Sequence, residues 1–298
     1  MAVLARANED KAGLGIVMML LAYLVFSLLD TSVKWLVITG LSAFQLAFMR
    51  YLGHFVVSLA VIARNGIARD RFATALPHLV LLRAVLLVVS TVFNFYSLKF
   101  LPLTVTSSIM FSAPIVVCAL SWPLLGERVG PWRWFAILFG FIGVLVVIRP
   151  FGAHFHWAML LSIHNAVAIA LYSILTRKLS GIVATETMQF YMGLIGTLLL
   201  LPVAWLTWQP PASPLEWGLL IALGVWGWGG HELMTRAHGY APAHTLMPYT
   251  YSFMIYLTIT SFVVFGDLPD IWTITGASIV VGSGLIIWHR TKKRGTRV

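Results

Sequence analysis

Two stretches decide the fold. YSLKFLPLTVTSSIMFSAPIVVCALSWPLLGERVGPWRWFAILFGFIGVLVVIR occupies residues 96–149, and RAHGYAPAHTLMPYTYSFMIYLTITSFVVFGDLPDIWTITGASIVVGSGLIIWH, residues 236–289, repeats it without gaps 140 residues later. Pro102 meets Pro242, Ser112 meets Ser252, Ile115 meets Ile255, Ser121 meets Ser261, Gly126 meets Gly266, Trp132 meets Trp272 and Leu145 meets Leu285; Glu127 meets Asp267. So apolar a chain matches itself often by accident, and the kind of residue matched carries the argument. A proline opens an apolar run of about one membrane thickness, a Gly–acid pair closes it, and a tryptophan opens the next run after the same interval.

Composition places both copies in a bilayer. The chain is 59% hydrophobic and 10% charged, with a mean hydropathy of +0.89, against about 25% charged residues in soluble domains. Its apolar segments run for about 20 residues without alternation, which makes them helices rather than strands of a barrel. The single cysteine, Cys118, excludes an internal disulfide. The net charge of +10 lies beside apolar spans, at Arg6, Lys11, Arg64, Arg69, Arg71 and the tail from Arg290, so it fits membrane topology and not nucleic-acid binding. The run from Gly13 to Leu36 is too long for a signal-peptide core and reads as a retained helix.

Hydropathy predicts ten spans, at about 13–35, 42–63, 76–98, 103–124, 132–149, 157–178, 185–206, 216–238, 242–265 and 271–289. With the N-terminus inside, 15 of the 20 Lys and Arg residues fall on the inner side. Lys34, Lys99 and Arg149 fall outside, and Arg50 and Arg83 lie within spans. The expectation is an all-α integral membrane protein of the bacterial inner membrane with both termini cytoplasmic. Five spans per half is an odd number, so residues 151–298 enter the membrane inverted relative to residues 1–150. Charge agrees: Arg128 and Arg133, inside, become Leu268 and Thr273, outside. Inverted halves are a common construction of secondary transporters, with the substrate near mid-membrane between them.

In these motifs the chain resembles the ten-helix drug/metabolite transporter superfamily. The similarity is to its EamA-type exporters, and within them to the YddG-like amino-acid exporters. It rests on residues 96–129, on the Gly-rich FGFIGVLVVIRP that follows, and on the echo from Ala237 to Pro269. The resemblance implies a cavity lined by helices 1, 3, 4, 6, 8 and 9, and an export direction. Two departures stand in the second half: Asp267 replaces the family's Glu, and Pro114 has no counterpart at Met254, Pro248 lying six residues earlier.

Polar groups far from span ends are costly in lipid and are the candidates for a transport path. Asp30 and Lys34, four apart, share a face near the outer end of the first span and suit an ion pair or a gate. Arg50 lies about 12 Å into the second span; it pairs with Asp30 or faces the cavity. Its counterpart in the other half is Gly193. Arg83 is near enough to the inner face to snorkel. On the eighth span, Glu232 and Arg236 make an i,i+4 pair suited to a gate, beside His231. The His-Glu pair there resembles a zinc-protease helix, but Thr235 stands where the second histidine is needed, so no metal is expected. Gly224, Gly227, Gly229 and Gly230 permit close helix packing or a break. The sixth span offers His164, Asn165 and Tyr172; the third Ser90, Thr91 and Asn94; the ninth Tyr249, Tyr251, Ser252 and Tyr256. Aromatic faces with a few polar tips suit a small amphiphile. Trp35, Trp132, Trp157, Trp205, Trp217 and Trp272 read as an interfacial belt. Glu127 and Asp267 read as caps for the helices that follow them.

The function expected is export of amino acids or related small metabolites by alternating access, without a cofactor or a nucleic-acid partner; the sequence sets no oligomeric state, and a monomer is compatible with it. An exporter of purines or cationic drugs is the alternative. A membrane-embedded enzyme would need clustered nucleophiles, bases or metal ligands at mid-depth, and a receptor or scaffold would need a soluble domain; the sequence offers neither.

Overall fold

A computed structural model describes residues 12–64, 72–113, 115–116, 119–120, 131–149, 155–179, 182–240, 249 and 251–295. Among them are ten helices and no strand. They are α1 (Ala12–Ile38), α2 (Ala43–Arg64), α3 (Pro77–Leu98), α4 (Leu103–Met110), α5 (Pro131–Ile148), α6 (Ala158–Leu179), α7 (Thr185–Leu206), α8 (Pro214–Tyr240), α9 (Ser252–Phe265) and α10 (Ile271–Gly295). Five of them, at Gly13–Ile38, Ala43–Arg64, Pro77–Leu98, Ala158–Thr176 and Thr185–Leu206, are long and apolar enough to cross a membrane. Pro114, Glu127, Pro242 and Pro248 lie outside the described residues.

Each helix end has a local cause. Proline at the first position of α3, α5 and α8 supplies a helical φ where no N–H is needed. At the start of α8, Ser213 Oγ accepts from the Glu216 N–H (3.2 Å) and Glu216 Oε2 from the Ala212 N–H (2.5 Å), a reciprocal cap. Gly266 ends α9 at φ +71, where its N–H and that of Asp267 reach back to the carbonyls of Phe262 and Ser261. The cap of α10 is Asp270, whose Oδ1 accepts from the Thr273 N–H at 2.8 Å. Asp267, expected in that role, is turned toward Lys34 instead.

The packing expresses the repeat. α1 packs on α8 as α6 does on α3; α2 packs on α8 as α7 does on α3; α1 packs on α9 as α6 does on α4. α2 with α7, α4 with α9 and α5 with α10 are self-related pairs. Exchanging α1–α5 for α6–α10 returns this set of interfaces unchanged, as a pseudo-two-fold axis between the halves requires. Small residues let these helices close. A Cβ on Gly224 would strike the backbone of Gly53 across the α2–α8 contact, and one on Gly143 would meet the Gly276 carbonyl oxygen across α5–α10. α8 runs unbroken through Gly224, Gly227, Gly229 and Gly230, so the glycines act through packing and not through a break.

The surface is apolar and the interior carries charge. Leu138 (61% exposed), Val263 (74%) and Phe141 (57%) face outward, while Arg50, Arg83, Lys34 and His54 are buried. Lipid, as solvent for the outer face, makes that inversion stable. Trp157, Trp205, Trp217 and Trp272 are exposed at the helix ends beside the 155–157, 207–213 and 266–270 connections, forming a belt at one end; the Trp132 side chain lies outside the description.

Candidate functional site

The polar interior begins on α2 and α3. An apolar helix exposes its exceptions: Arg83, Ser90, Thr91 and Asn94 fall on one face of α3, and Arg50, His54 and Ser58 recur every four residues on α2. α1, α6 and α8 close over these faces.

Arg50 is the centre. Its guanidinium donates to Thr91 Oγ1 at 3.1 Å and to His231 Nε2 at 3.3 Å, and stacks 4.9 Å from the Tyr51 ring. Since arginine can only donate, His231 Nε2 accepts and the ring proton sits on Nδ1. Thr91 Oγ1 is also bonded to Tyr51 OH at 2.9 Å. Asp30, on α1, accepts from Asn94 Nδ2 at 3.5 Å and lies within electrostatic reach of Arg50. The direct Arg50–Asp30 ion pair allowed by the sequence does not form. A guanidinium held by neutral acceptors, and a carboxylate held by one amide, stand near each other in the membrane interior.

Aromatic rings lead away from this centre. Tyr251 contacts Phe111 (5.5 Å between centroids), Phe111 contacts Phe253 (6.3 Å), Phe253 contacts Tyr23 (5.8 Å), Tyr23 contacts Phe26 (6.2 Å) and Phe26 meets His231 edge-on (5.1 Å). The run joins α9, α4, α1 and α8 and ends at Arg50. Beyond the network, a groove of about 540 Å³ between α4, α9 and α10, mostly apolar with Met254, Ile274, Val281 and Leu285 among its walls beside Thr104, Ser108, Thr258 and Thr273, shares no residue with it.

The structure redistributes several expected residues. Asn165 is buried, with Oδ1 accepting from Ser90 Oγ and Nδ2 donating to Met110 Sδ at 3.6 Å, so it joins the interior. His164, its neighbour, does not. It lies with Leu160 and Val167 on the exposed stripe of α6 and packs on Phe93 at 4.6 Å, because a helix turns adjacent residues by about 100°. Tyr172 binds Arg83, whose Nη2 donates to its OH at 2.5 Å and whose charge lies 4.4 Å over its ring. Arg83 therefore does not snorkel: it is buried and also donates to Thr176 Oγ1 at 2.7 Å. Tyr249 packs with Met19 and Ala237, away from Arg50, and Ser252 Oγ spends its proton on the Tyr249 carbonyl at 2.7 Å. Tyr251 contributes its ring. Tyr51, His54, Phe26 and Phe111 had no place in the sequence reading; the four-residue polar recurrence on α2 is the signal that marks His54, and no signal marks the phenylalanines.

The gating pairs separate likewise. Glu232 and Arg236 bond at 2.8 Å, but within one helix and with Arg236 largely exposed, so they tie no two helices together. Lys34 does not pair with Asp30. Its Nζ reaches Asp267 Oδ2 at 2.6 Å and lies 4.4 Å over the Phe265 ring, fastening α1 to the end of α9. Arg149 bonds Asp270 Oδ2 at 2.6 Å, and Gln45 exchanges two 2.9 Å bonds with the Gln209 backbone. All three links cross between the halves at one end of the molecule. Burial disfavours the Asp270 carboxylate, but bonds from Thr273 and the charge of Arg149 outweigh it, leaving its pKa below the ordinary value. Among the described residues no cluster of three or more His, Cys, Asp or Glu side chains is placed to hold a metal ion.

The EamA-like transporter family matches residues 13–149 and again residues 156–288. An S-adenosylmethionine uptake transporter of Rickettsia prowazekii (strain Madrid E) is 29% identical over 279 residues, covering 94% of each chain. The pseudopaline exporter CntI of Pseudomonas aeruginosa (strain UCBPP-PA14) is 28% identical over 280 residues, 94% of this chain and 97% of its own. A riboflavin transporter of Vibrio cholerae serotype O1 is 30% identical over 287 residues, covering 95% and 96%. A crystal structure of another protein superposes with a TM-score of 0.64 at 20% identity over 94% of this chain and 97% of that one, a likeness of fold. These relatives are named for three cargoes and two directions. They carry the transport of small metabolites, and not the narrower likeness to amino-acid exporters.

Proposed function

The chain belongs to the EamA-like transporter family, and from that premise we propose that it carries an amino acid or a close derivative out of the cell by alternating access. It is a multi-pass membrane transporter and not an enzyme. The proposed membrane is the bacterial inner membrane, with both termini cytoplasmic as the Lys and Arg asymmetry favours. The proposed moving units are residues 1–150 and 151–298.

One observation carries the cargo assignment: buried Arg50 donates only to neutral acceptors while Asp30 waits nearby on Asn94. A substrate carboxylate completes the first and a substrate ammonium the second, each as a charge-assisted hydrogen bond. The ring series from His231 to Tyr251 offers an apolar face to the rest of such a molecule. S-adenosylmethionine, named for one relative, is itself an amino-acid derivative. Export agrees with the relative named an exporter.

A second reading follows from the same rings. The riboflavin relative and the aromatic series together suit a heteroaromatic cargo without an amino-acid head. Counterflow in proteoliposomes decides between them. Exchange of radiolabelled amino acids is the expected result. Exchange of a flavin, purine or dye with none from a full amino-acid panel would discard the amino-acid assignment.

A further inference from the structure

Arg83 repeats the situation of Arg50 deeper along α3. It lies eight residues from Thr91, about 12 Å at 1.5 Å per residue, toward the end of the bundle that bears the 65–76 connection. Its acceptors are Thr176 Oγ1, Tyr172 OH and, at 3.5 Å, the Met188 carbonyl. All are neutral, so its charge is solvated by the protein without being neutralised.

Polar side chains on α2 and α7, the helices that pack on α3, lie at a similar depth. His54 and Ser58 stand one and two turns from Arg50 on the same face of α2, and Gln189 follows Met188 on α7. The three are buried, at 1%, 4% and 6% exposed; Ser58 Oγ has no hydrogen-bond partner, and the His54 and Gln189 side chains have only each other within reach. His54 adjoins Gln189 and feels the charge of both arginines. Buried polar groups are ordinarily satisfied. Here a hydroxyl donor and a cation lie with an amide oxygen that can only accept, which is the complement of a zwitterion.

We propose that Arg83, Ser58 and Gln189 form a second head-group station, about 12 Å from Arg50, that takes the substrate carboxylate on Arg83 and Ser58 and its ammonium on Gln189 Oε1. The proposal rests on the carboxylate reading at Arg50. It adds that the cargo is handed between two charged stations along the membrane normal, with His54 between them. In the cytoplasmic-termini orientation the second station is the one met from the inside.

Sided proteoliposomes test it, with L-phenylalanine as the probe and phenethylamine, its carboxylate-free analogue, as the control. Arg83→Gln is expected to raise the apparent KM for phenylalanine at least tenfold from the face bearing the 65–76 connection, and less than twofold from the opposite face. Arg83→Lys, which keeps the charge but not the planar fork that reaches Tyr172 and Thr176, should raise that KM too, by less than Arg83→Gln does. An Arg83→Gln KM unchanged on both faces, or raised equally on both, overturns the second station. Should Arg83→Gln fail to fold, Ser58→Ala and Gln189→Leu carry the test: a one-sided KM rise in either supports the station, and none in both overturns it. A parent protein that moves phenethylamine and not phenylalanine fails at the earlier step, the carboxylate reading itself.

Discussion

Arg50 shows how one side chain organises a membrane interior. It is planar and permanently charged, and it reaches Thr91 and His231 at once. Lysine at this position is a point charge without the planar fork that spans Thr91 and His231 and still meets a carboxylate bidentately. Hydrogen bonds to charged groups contribute about 1.5–3 kcal/mol, or roughly 10–100-fold in affinity. Arg50→Lys should therefore cut amino-acid counterflow by at least about tenfold, measured at equal protein incorporation. His164 is the contrasting residue. Because it shares the exposed stripe of α6 with Leu160 and Val167, His164→Ala should leave counterflow within about twofold. A large loss there would place the histidine in the transport path after all.

At the scale of the element, glycine sets the distance between helices. Gly53 and Gly224 meet backbone to backbone, whereas a Cβ on Gly229 would meet nothing within 4 Å. Overpacking typically costs about 1–3 kcal/mol, so Gly224→Leu should lower the midpoint of thermal unfolding in detergent while Gly229→Ala leaves it unchanged or slightly raised. Equal midpoints would mean that α2 and α8 do not touch there. The start of α10 makes a second case. Asp270 has a depressed pKa in the folded protein, so its contribution is complete above the unfolded value of 3.8 and is lost as pH falls through the folded value. Unfolding followed by tryptophan fluorescence should then show Asp270→Asn less stable than the parent at pH 7, with the difference vanishing in acid below that window. A gap between the two that persists unchanged at the acid end would assign the effect to something other than the carboxylate.

For the whole molecule, the main interfaces between halves are symmetric, whereas the α4–α10 contact has no comparable α9–α5 counterpart among the described residues and the links at the ends are not symmetric. α3 packs on α1 and α2 inside the first half, while the corresponding contacts of α8 with α6 and α7 are slight at most among the described residues. Two related halves in unequal arrangements are what alternating access needs, since exchanging the arrangements moves the opening to the other face. Lys34–Asp267, Arg149–Asp270 and Gln45–Gln209 fasten one end. The first of these joins a buried ammonium to a half-exposed carboxylate, and its loss should favour opening by about 1–2 kcal/mol, or roughly 5–30-fold in population. In a Cys118→Ser background, a cysteine reporter at Val37 should react faster with a polar maleimide after Asp267→Asn, and the Lys34→Asp, Asp267→Lys exchange should slow it again. Unchanged labelling in Asp267→Asn would show that the pair is not a latch.

The sequence by itself determined the helical class, the ten elements, the repeat and the buried arginine on α2. These depend on local properties, the length of apolar runs and the recurrence of proline, glycine and tryptophan, which the backbone cannot average away. Tertiary structure alone decided the partners. Asp30 and Lys34 share a face of α1, yet one answers to Asn94 and the other to Asp267, because ionic partners come from whichever helices the two-fold packing brings alongside. His164 and Asn165 are neighbours in the chain and face opposite environments for the same reason. Arg83 looked near enough to an interface to reach water, until α6 and α7 were seen to close over it with Tyr172, Thr176 and the Met188 carbonyl. Depth along a span is a one-dimensional property that a sequence contains; which face meets which helix is not, and the chemistry of this interior is set by the facing.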